Sequence, residues 1–476
     1  MKEIKIHNNL SRKKETFVPV KPGKVNYYSC GPTTYDFAHI GNARAFVVGD
    51  LIHRVLKSFG YEVTFVRNYT DVDDKIIERA RELGKDAIEF AALFVKECET
   101  DFGFLGMIPP THTPKVSETM PEIIKMIEDI IRNKKAYVVE GEVLFDVPSF
   151  ADYGKLSKKD LDSLQHGIRV EVDKKKRNSA DFVLWKPAKP GEPFWDSPWG
   201  QGRPGWHIEC SAMAKKFLGE TLDIHHGGVD LMFPHHENEI AQSEAANNCP
   251  FCNNWVHHEF LNFGSEKMSK SLGNVVRIRD FVEKYSGQVL RHLLLSVHYR
   301  ARLEWTDEVV QRALEEVKRI HEFVVEAETY KATGTADDAE IMGCIEKMKD
   351  DLSNDFNSAG ALGTFFTFIR HARHNRDSLS QNSVTEILKI VNFVRDSMGF
   401  VSSDPEATLL SLRKNEQSLE GSDIDSQWIE NLIEERKTAK ASKNWARADE
   451  IRKELAAKNI VLKDNPDGSS TWKVQS

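Results

Sequence analysis

The chain has 476 residues, 40% of them apolar and 29% charged, with a formal net charge of −8. That length accommodates about three domains and a substantial core, and no run of about eighteen apolar residues is present, which excludes an ordinary membrane-spanning helix. The negative total excludes a nucleic-acid contact spread over the whole surface, so any such contact must be confined to basic patches. The opening residues, Met1 to Lys5, lack the apolar core of a signal peptide, and a cytoplasmic location is expected. In that setting the six cysteines (Cys30, Cys98, Cys210, Cys249, Cys252 and Cys344) are expected to be free, metal-bound or catalytic rather than disulfide-bonded.

In chain order, Val25 to Cys30 reads as a buried strand, and Gly31-Pro32-Thr33 turns the chain away. A helix is predicted from Ile40 to Phe59, with Gly60 as its stop. Tyr61 to Asn68 alternates like a second strand. This strand–helix–strand unit is the building block of an α/β, doubly wound parallel sheet, and it places residues 39–42 at the edge where such sheets bind ligands. The rhythm breaks over 108–204, an insertion with a basic run from Lys174 to Arg177 and a Pro/Gly/Trp-rich passage from Trp185 to Gly205. The basic run reads as a solvated loop, with contact to an RNA acceptor arm as the alternative.

From Thr306 the texture is helical, with Val310, Leu314, Val317 and Val324 at helical spacing and Ile341 to Arg376 continuing it. Cys98 and Cys344 fall in such apolar patterns and read as packed thiols. A polar linker is expected over 402–425, then helices near Gln427–Lys440 and Ala446–Lys458. A hairpin is expected around Asp467-Gly468, between Ile460–Leu462 and Thr471–Val474. The expected domains are 1–107 and 205–305 (two halves of one sheet domain), 108–204 (insertion), 306–401 (helical bundle), 402–425 (linker) and 426–476 (tail).

Two short segments carry the chemistry. His39-Ile40-Gly41-Asn42 puts an imidazole, a glycine backbone and an amide at a helix start; Lys267-Met268-Ser269-Lys270-Ser271 puts two lysines in a loop-like stretch. Together they suit a polyphosphate, with in-line attack on the α-phosphate of ATP as charge builds on the departing pyrophosphate. A metal constellation is also present. Cys30 ends the first strand, Cys210 lies in Trp206-His207-Ile208-Glu209-Cys210, and His235 and Glu239 fall one turn apart if Pro234 to Glu239 is helical. Two thiolates, an imidazole and a carboxylate suit tetrahedral zinc, although His236 with Glu239 fits nearly as well. Cys249-Pro250-Phe251-Cys252, followed by His257 and His258, is a competing cluster on spacing alone, and two ordinary loop thiols are its plain reading.

The first two segments resemble the HIGH and KMSKS signatures of class I aminoacyl-tRNA synthetases. Cys30-Gly31-Pro32-Thr33, His39 to Arg44, Asn68 to Lys75, Trp206 to Met213, Phe233 to Glu239 and Ala446 to Arg452 occur in one order. From near its start to its end the chain resembles the bacterial-type cysteinyl-tRNA synthetase family. The resemblance implies a Rossmann-like sheet with an insertion, an α-helical bundle and a small C-terminal α+β anticodon-binding domain. It also implies ATP-dependent activation of L-cysteine and its transfer to tRNA(Cys).

On that resemblance the zinc ligands fall on Cys30, Cys210, His235 and Glu239, one ion per chain, and the Cys249/Cys252 pair lies outside the shared pattern. His39, Asn42, Lys267 and Lys270 are implied as catalytic, with Gly41 and Ser269 also at ATP and Mg2+ accompanying it. Gly31, Thr70, Trp206, His225 and Asp230 are implied around the amino acid; His226 departs from the glycine expected at its position. Zinc makes sense there, because it grips a thiolate strongly and a hydroxyl weakly, whereas size alone separates such substrates only about 10- to 200-fold.

In the tail, Arg436, Lys437, Lys440, Lys443, Arg447, Arg452 and Lys453, with Trp445 and Trp472, suit phosphate contact and base stacking, and the resemblance points them at the anticodon. A monomer with no membrane partner is expected. Two rivals remain: a cysteine ligase with an amino-sugar acceptor, which should lack the tail, and a non-catalytic RNA-binding relative.

Overall fold

A computed structural model describes residues 2–159, 175–263, 276–419, 426–442, 444–456, 460–464 and 470–474. The chain divides into two units, 1–412 and 413–476. In the first, a hairpin of β1 (Lys5–Asn8) and β2 (Lys13–Thr16) precedes the expected strand–helix–strand unit: β3 (Lys24–Ser29), α1 (Ile40–Ser58) and β4 (Glu62–Arg67). α1 ends at Ser58 with Phe59 as its C-cap, one residue short of the expected end. Gly60 takes φ +90°, a left-handed conformation that glycine adopts without strain, and the Tyr61 N–H donates back to the Leu56 carbonyl.

Helices α2 (Asp74–Glu82) and α3 (Ala87–Phe104) follow. The inserted segment supplies α4 (Met120–Arg132) and an antiparallel sheet of β5 (Ala136–Val139), β6 (Glu142–Phe145), β7 (Phe182–Pro187) and β8 (Gly202–Pro204). The main domain resumes with α5 (Trp206–Leu218), β9 (Leu222–Gly228), α6 (His235–Asn247) and β10 (Cys252–His258).

The main sheet is parallel throughout, in the order β10-β9-β3-β4. Period-two alternation divides its side chains. Tyr27, Phe65, Ile224 and Val256 pack with Val47 and Leu51 of α1, while Tyr28, Val66 and Trp255 pack with Ile127 of α4, Met213 of α5 and Ile240 of α6. β3 leads outward to β4 on one side and β9 leads outward to β10 on the other. The gap between the carboxyl ends of β3 and β9 is therefore the switch point where such sheets take ligands.

Beyond β11 (Leu261–Asn262), α7 (Ile278–Lys284), α8 (Gly287–Leu295) and β12 (Leu303–Glu304) comes the expected bundle: α9 (Asp307–Ala327), α10 (Ala339–Met342), α11 (Cys344–Ser353), α12 (Ser358–His374) and α13 (Gln381–Met398). Val310, Leu314, Val317 and Val324 are buried along α9, and Cys98 and Cys344 are packed thiols.

The linker expected over 402–425 differs: α14 (Pro405–Leu419) occupies most of it. Asp404 accepts from the Ala407 N–H at its start, and Leu412 is fully buried, so capping and one apolar anchor outweigh the polar composition. The second unit holds α15 (Ser426–Ala441), α16 (Trp445–Ala456) and a hairpin of β13 (Ile460–Asp464) and β14 (Ser470–Val474), around Ile429, Leu432, Ile451, Leu455, Ile460 and Leu462.

Candidate active site and metal cluster

His39 caps α1. Its Nδ1 accepts from the Asn42 N–H at 3.3 Å, and the Asn42 side-chain oxygen accepts from the His39 N–H at 3.3 Å, a reciprocal box closed by the signature itself. A Cβ on Gly41 would crowd the imidazole, so glycine leaves room for the ring. No acidic side chain occupies the first turn, and the positive end of the helix is left for a phosphate. The Ile40 N–H donates to the Val276 carbonyl and the Ile278 N–H to the Ala38 carbonyl, both at 3.0 Å. The signature is thereby stitched to residues 276–278. Lys267, Ser269 and Lys270 lie outside the described residues.

At the switch point, donor atoms of Cys30, Cys210, His235 and Glu239 lie within 4.8 Å of one another, all buried. Cys30 leaves β3, Cys210 comes from α5, and His235 and Glu239 come from one turn of α6. His235 Nε2 sits 3.0 Å from Glu239 Oε1, and Cys30 Sγ sits 3.7 Å from the same oxygen. A second set, Cys30, His225, His236 and Glu239, meets the same distance limit, as the alternative reading of His236 anticipated.

Outer contacts distinguish the two sets. His207 Nδ1 lies 2.8 Å from His235 Nδ1, which leaves His235 Nε2 for the cluster. His225 Nε2 lies 2.9 Å from Glu239 Oε2, which leaves Oε1 for the cluster. In the second set His236 is held likewise, its Nδ1 2.8 Å from His257 Nε2 and its Nε2 3.5 Å from Cys30 Sγ, but His225 Nδ1 is buried without a hydrogen-bond partner. The first set thus has two sulfurs, a nitrogen and an oxygen with its outer partners in place, a donor set suited to a soft divalent cation.

The electrostatics agree. Contact with Cys30 is the largest influence on Cys210 and, against burial, draws its thiol down to about 6. Burial, with the same contact, pushes the Cys30 thiol well up. Burial works against charge on His235, but Glu239 and Cys210 override it and raise the imidazole to about 10. Burial likewise opposes ionisation of Glu239, and His225 and His235 outweigh it, holding the carboxyl at about 2. Burial, with the neighbouring His235 charge, pushes His207 down to about 3, and it therefore serves as a neutral partner.

Of the residues expected around an amino acid, Thr70 bonds across the ends of β3 and β4 to the turn that follows Gly31. The Thr34 N–H donates to the Thr70 carbonyl and the Thr70 N–H to the Pro32 carbonyl, each at 3.1 Å. A Cβ on Gly31 would run into the Asn68 carbonyl, a close approach that requires glycine. Trp206, at the start of α5, is 43% exposed and stacks on His235, one of the four donors, with ring centres 4.4 Å apart. His225 sits behind Glu239, stacked on Trp255 at 4.6 Å. Asp230 lies exposed just past β9, turned back over Gly228. His226, where glycine is expected, is buried between Ser29 Oγ (3.0 Å) and His258 (3.1 Å).

The competing cluster does not assemble. Cys249 and Cys252 belong to no metal-capable group among the described residues, because His257 and His258 face His236 and His226 instead. Lys175 pairs with Glu140 and Arg177 lies over the Tyr137 ring, while Lys174 falls outside the described residues. In the tail, Trp445 is 61% exposed, Arg452 and Lys453 are exposed, and Arg447 is held by Glu435 and Glu450. Lys437 pairs with Glu434, Arg436 is buried against Ser470, and Trp472 packs on the small core. Lys443 lies outside the described residues. The sequence reading quoted segments containing His207, Asn68 and Glu209 but assigned these three no role; the one available signal for Glu209 was an acid directly beside Cys210.

Residues 16–315 match the family model described as tRNA synthetases class I (C) catalytic domain, and residues 426–472 match the cysteinyl-tRNA ligase anticodon binding domain. Cysteine–tRNA ligases of Geobacter metallireducens and Geotalea uraniireducens are 47% and 46% identical over 99% of this chain and all of theirs. That of Bdellovibrio bacteriovorus is 43% identical over 99% of both chains. Among solved structures, the Mycobacterium tuberculosis methionyl-tRNA synthetase with methionyl-adenylate shares the fold at 13% identity (TM-score 0.59, 81% of this chain and 93% of that one). An Agrobacterium radiobacter LeuRS–tRNA complex does so at 11% (TM-score 0.60, 83% and 86%).

Proposed function

The chain belongs to the cysteine–tRNA ligase family of class I synthetases, and from that premise we propose that a zinc ion held by Cys30, Cys210, His235 and Glu239 selects its amino acid. The activity is ATP-dependent: L-cysteine is activated as its adenylate and passed to tRNA. The match of residues 426–472 to an anticodon-binding domain sets the amino-sugar ligase aside. The convergence of four buried donors at the switch point carries the zinc proposal. Bound zinc supplies a strong preference for a thiolate sulfur over a hydroxyl.

The remaining work falls to the chain's own groups. His207 and His225 hold the inner residues in one orientation, so that His235 Nε2 and Glu239 Oε1 point inward. Trp206 stacks on His235. The substrate carboxylate attacks the α-phosphate of ATP, and the α1 terminus with His39 and Asn42 stabilises the charge that develops there. Lys267, Lys270 and Ser269 are assigned to the triphosphate on the sequence motif, with Mg2+ to offset its charge. Gly31, Thr70 and Asp230 line the amino-acid pocket, with Trp206 as wall and His225 behind it. Trp445, Arg452 and Lys453 present stacking surface and charge to the anticodon of tRNA(Cys).

Cysteine-dependent ATP–pyrophosphate exchange, measured with metal-replete and chelator-stripped protein, tests this. Exchange should need the metal and reject serine. Full exchange by stripped protein would overturn the zinc assignment.

A further inference from the structure

Arg44 is a buried charge that the zinc reading leaves without a task. It stands two residues past Asn42 in α1 and is 1% exposed. Among the described residues no carboxylate forms an ion pair with it; Glu259, the acid that acts on it, pairs with Arg302 at 3.8 Å. Its guanidinium donates to main-chain carbonyls instead: Nη1 to Phe260 at 2.6 Å, Nη2 to Tyr299 at 3.3 Å and to Ala301. Taking a guanidinium out of water is costly, and carbonyls offset less of that than a carboxylate would. An apolar side chain would fill the space without the penalty. What arginine adds is geometry, a planar fork that holds three carbonyls in one arrangement.

Those carbonyls belong to a junction. Phe260 joins β10 to β11, and its carbonyl also accepts from the Leu303 N–H at 3.3 Å. The Tyr299 carbonyl accepts from the Glu259 N–H at 2.9 Å, and β11 runs parallel to β12, Leu261 opposite Leu303. Arg44 therefore fastens this junction to α1 just past the His39/Asn42 box. A second attachment lies further along the chain, where the Ile40 N–H donates to the Val276 carbonyl and the Ile278 N–H to the Ala38 carbonyl. Lys267 and Lys270 fall between the two attachments in sequence. The later one is main chain to main chain. The earlier one hangs on a single side chain.

We infer that Arg44 is a positioning residue for adenylate formation: by holding Phe260 to α1, it registers the chain that leads to Lys267 and Lys270 against the helix that carries His39 and Asn42. The inference rests on the cysteine-activating reading above and deepens it by separating its two steps. In the first, the cysteine carboxylate attacks the α-phosphorus and pyrophosphate leaves, so both signatures act at once. In the second, the cysteinyl group passes from the adenylate to tRNA. Pyrophosphate has gone, and the lysines have no triphosphate to hold. Loss of register is therefore felt in the first step alone.

Arg44→Lys keeps the charge and the aliphatic stem but cannot bridge three carbonyls. Formation of cysteinyl-adenylate in a single turnover, at saturating cysteine and ATP, should slow by about tenfold to a hundredfold. Transfer to tRNA from adenylate already formed and isolated on the variant should keep the rate of the unaltered protein. Zinc content and the KM for cysteine should not change. Equal slowing of both steps, slowing of transfer alone, or no slowing at all overturns the inference.

If Arg44→Lys does not fold, Arg44→Gln must show the same selective loss. Failure of both to fold overturns the inference as well, since Arg44 then serves the fold and not the step. Failure of the parent reading looks different, because the unaltered protein would then form no adenylate from cysteine and ATP.

Discussion

Glu239 directs its two oxygens to different neighbours, Oε1 to His235 and Cys30, Oε2 to His225. That division is what makes a carboxylate a fixed ligand rather than a swinging one. Cys210→Ser removes one of the two sulfurs while leaving the packing nearly intact. It should lower bound zinc and cysteine activation together, by about tenfold or more in activation, read by elemental analysis and pyrophosphate exchange. Unchanged zinc would transfer the site to the set that uses His236. Gly31→Ala tests the pocket floor. Its Cβ meets a backbone carbonyl that cannot turn aside, and a loss of about 1–3 kcal/mol in unfolding free energy is expected by denaturant titration.

The four donors were legible as residue types in quotable segments. The role of His207 was not, although the residue stood in a quoted segment, because it lies in which ring atom faces His235 across α5 and α6, and spacing along the chain carries no such information.

At the scale of elements, α1 was readable end to end, since both its punctuation marks are local: the His39/Asn42 box and Gly60. Asn42→Ala opens that box and should cost about 1 kcal/mol of stability, by thermal or denaturant unfolding, besides slowing activation at saturating ATP. The stretch over 402–425 was misleading for the opposite reason. Its composition is polar, yet one cap at Asp404 and one buried side chain, Leu412, suffice for α14. The hairpin of β13 and β14 was legible from its flanking apolar runs, whereas the burial of Trp472 depends on how that hairpin folds onto α15 and α16. Which tail cations are free was equally illegible, because Glu434, Glu435 and Glu450 claim theirs through contacts along and between helices.

In the larger unit, a buried knot ties the sheet domain to the bundle. Asp50 of α1 pairs with Arg54 and with Arg291 of α8, and Arg291 also donates to the Leu105 and Met398 carbonyls. Burial alone would raise the Asp50 carboxyl, but the two guanidiniums overcome it and hold the group below its ordinary 3.8. A carboxyl depressed in the folded state contributes stability in full above its unfolded value and loses it as pH falls through the folded one. Acid unfolding below about pH 4 should therefore be blunted in Asp50→Asn, which is also less stable at neutral pH. The stability difference between the two proteins, followed from pH 7 downward, should shrink; a constant difference would contradict the assignment. Removing 426–476 should leave cysteine activation nearly intact and lower tRNA charging by about tenfold or more, since only charging uses the anticodon domain.

The central claim is that a metal ion discriminates by sulfur. Its most direct test is zinc content measured on the same sample as exchange rates with cysteine and with serine. One zinc per chain is expected, with cysteine preferred by about 10⁴ or more and that preference lost on stripping. Metal-free protein that still activates cysteine fully and refuses serine would contradict it.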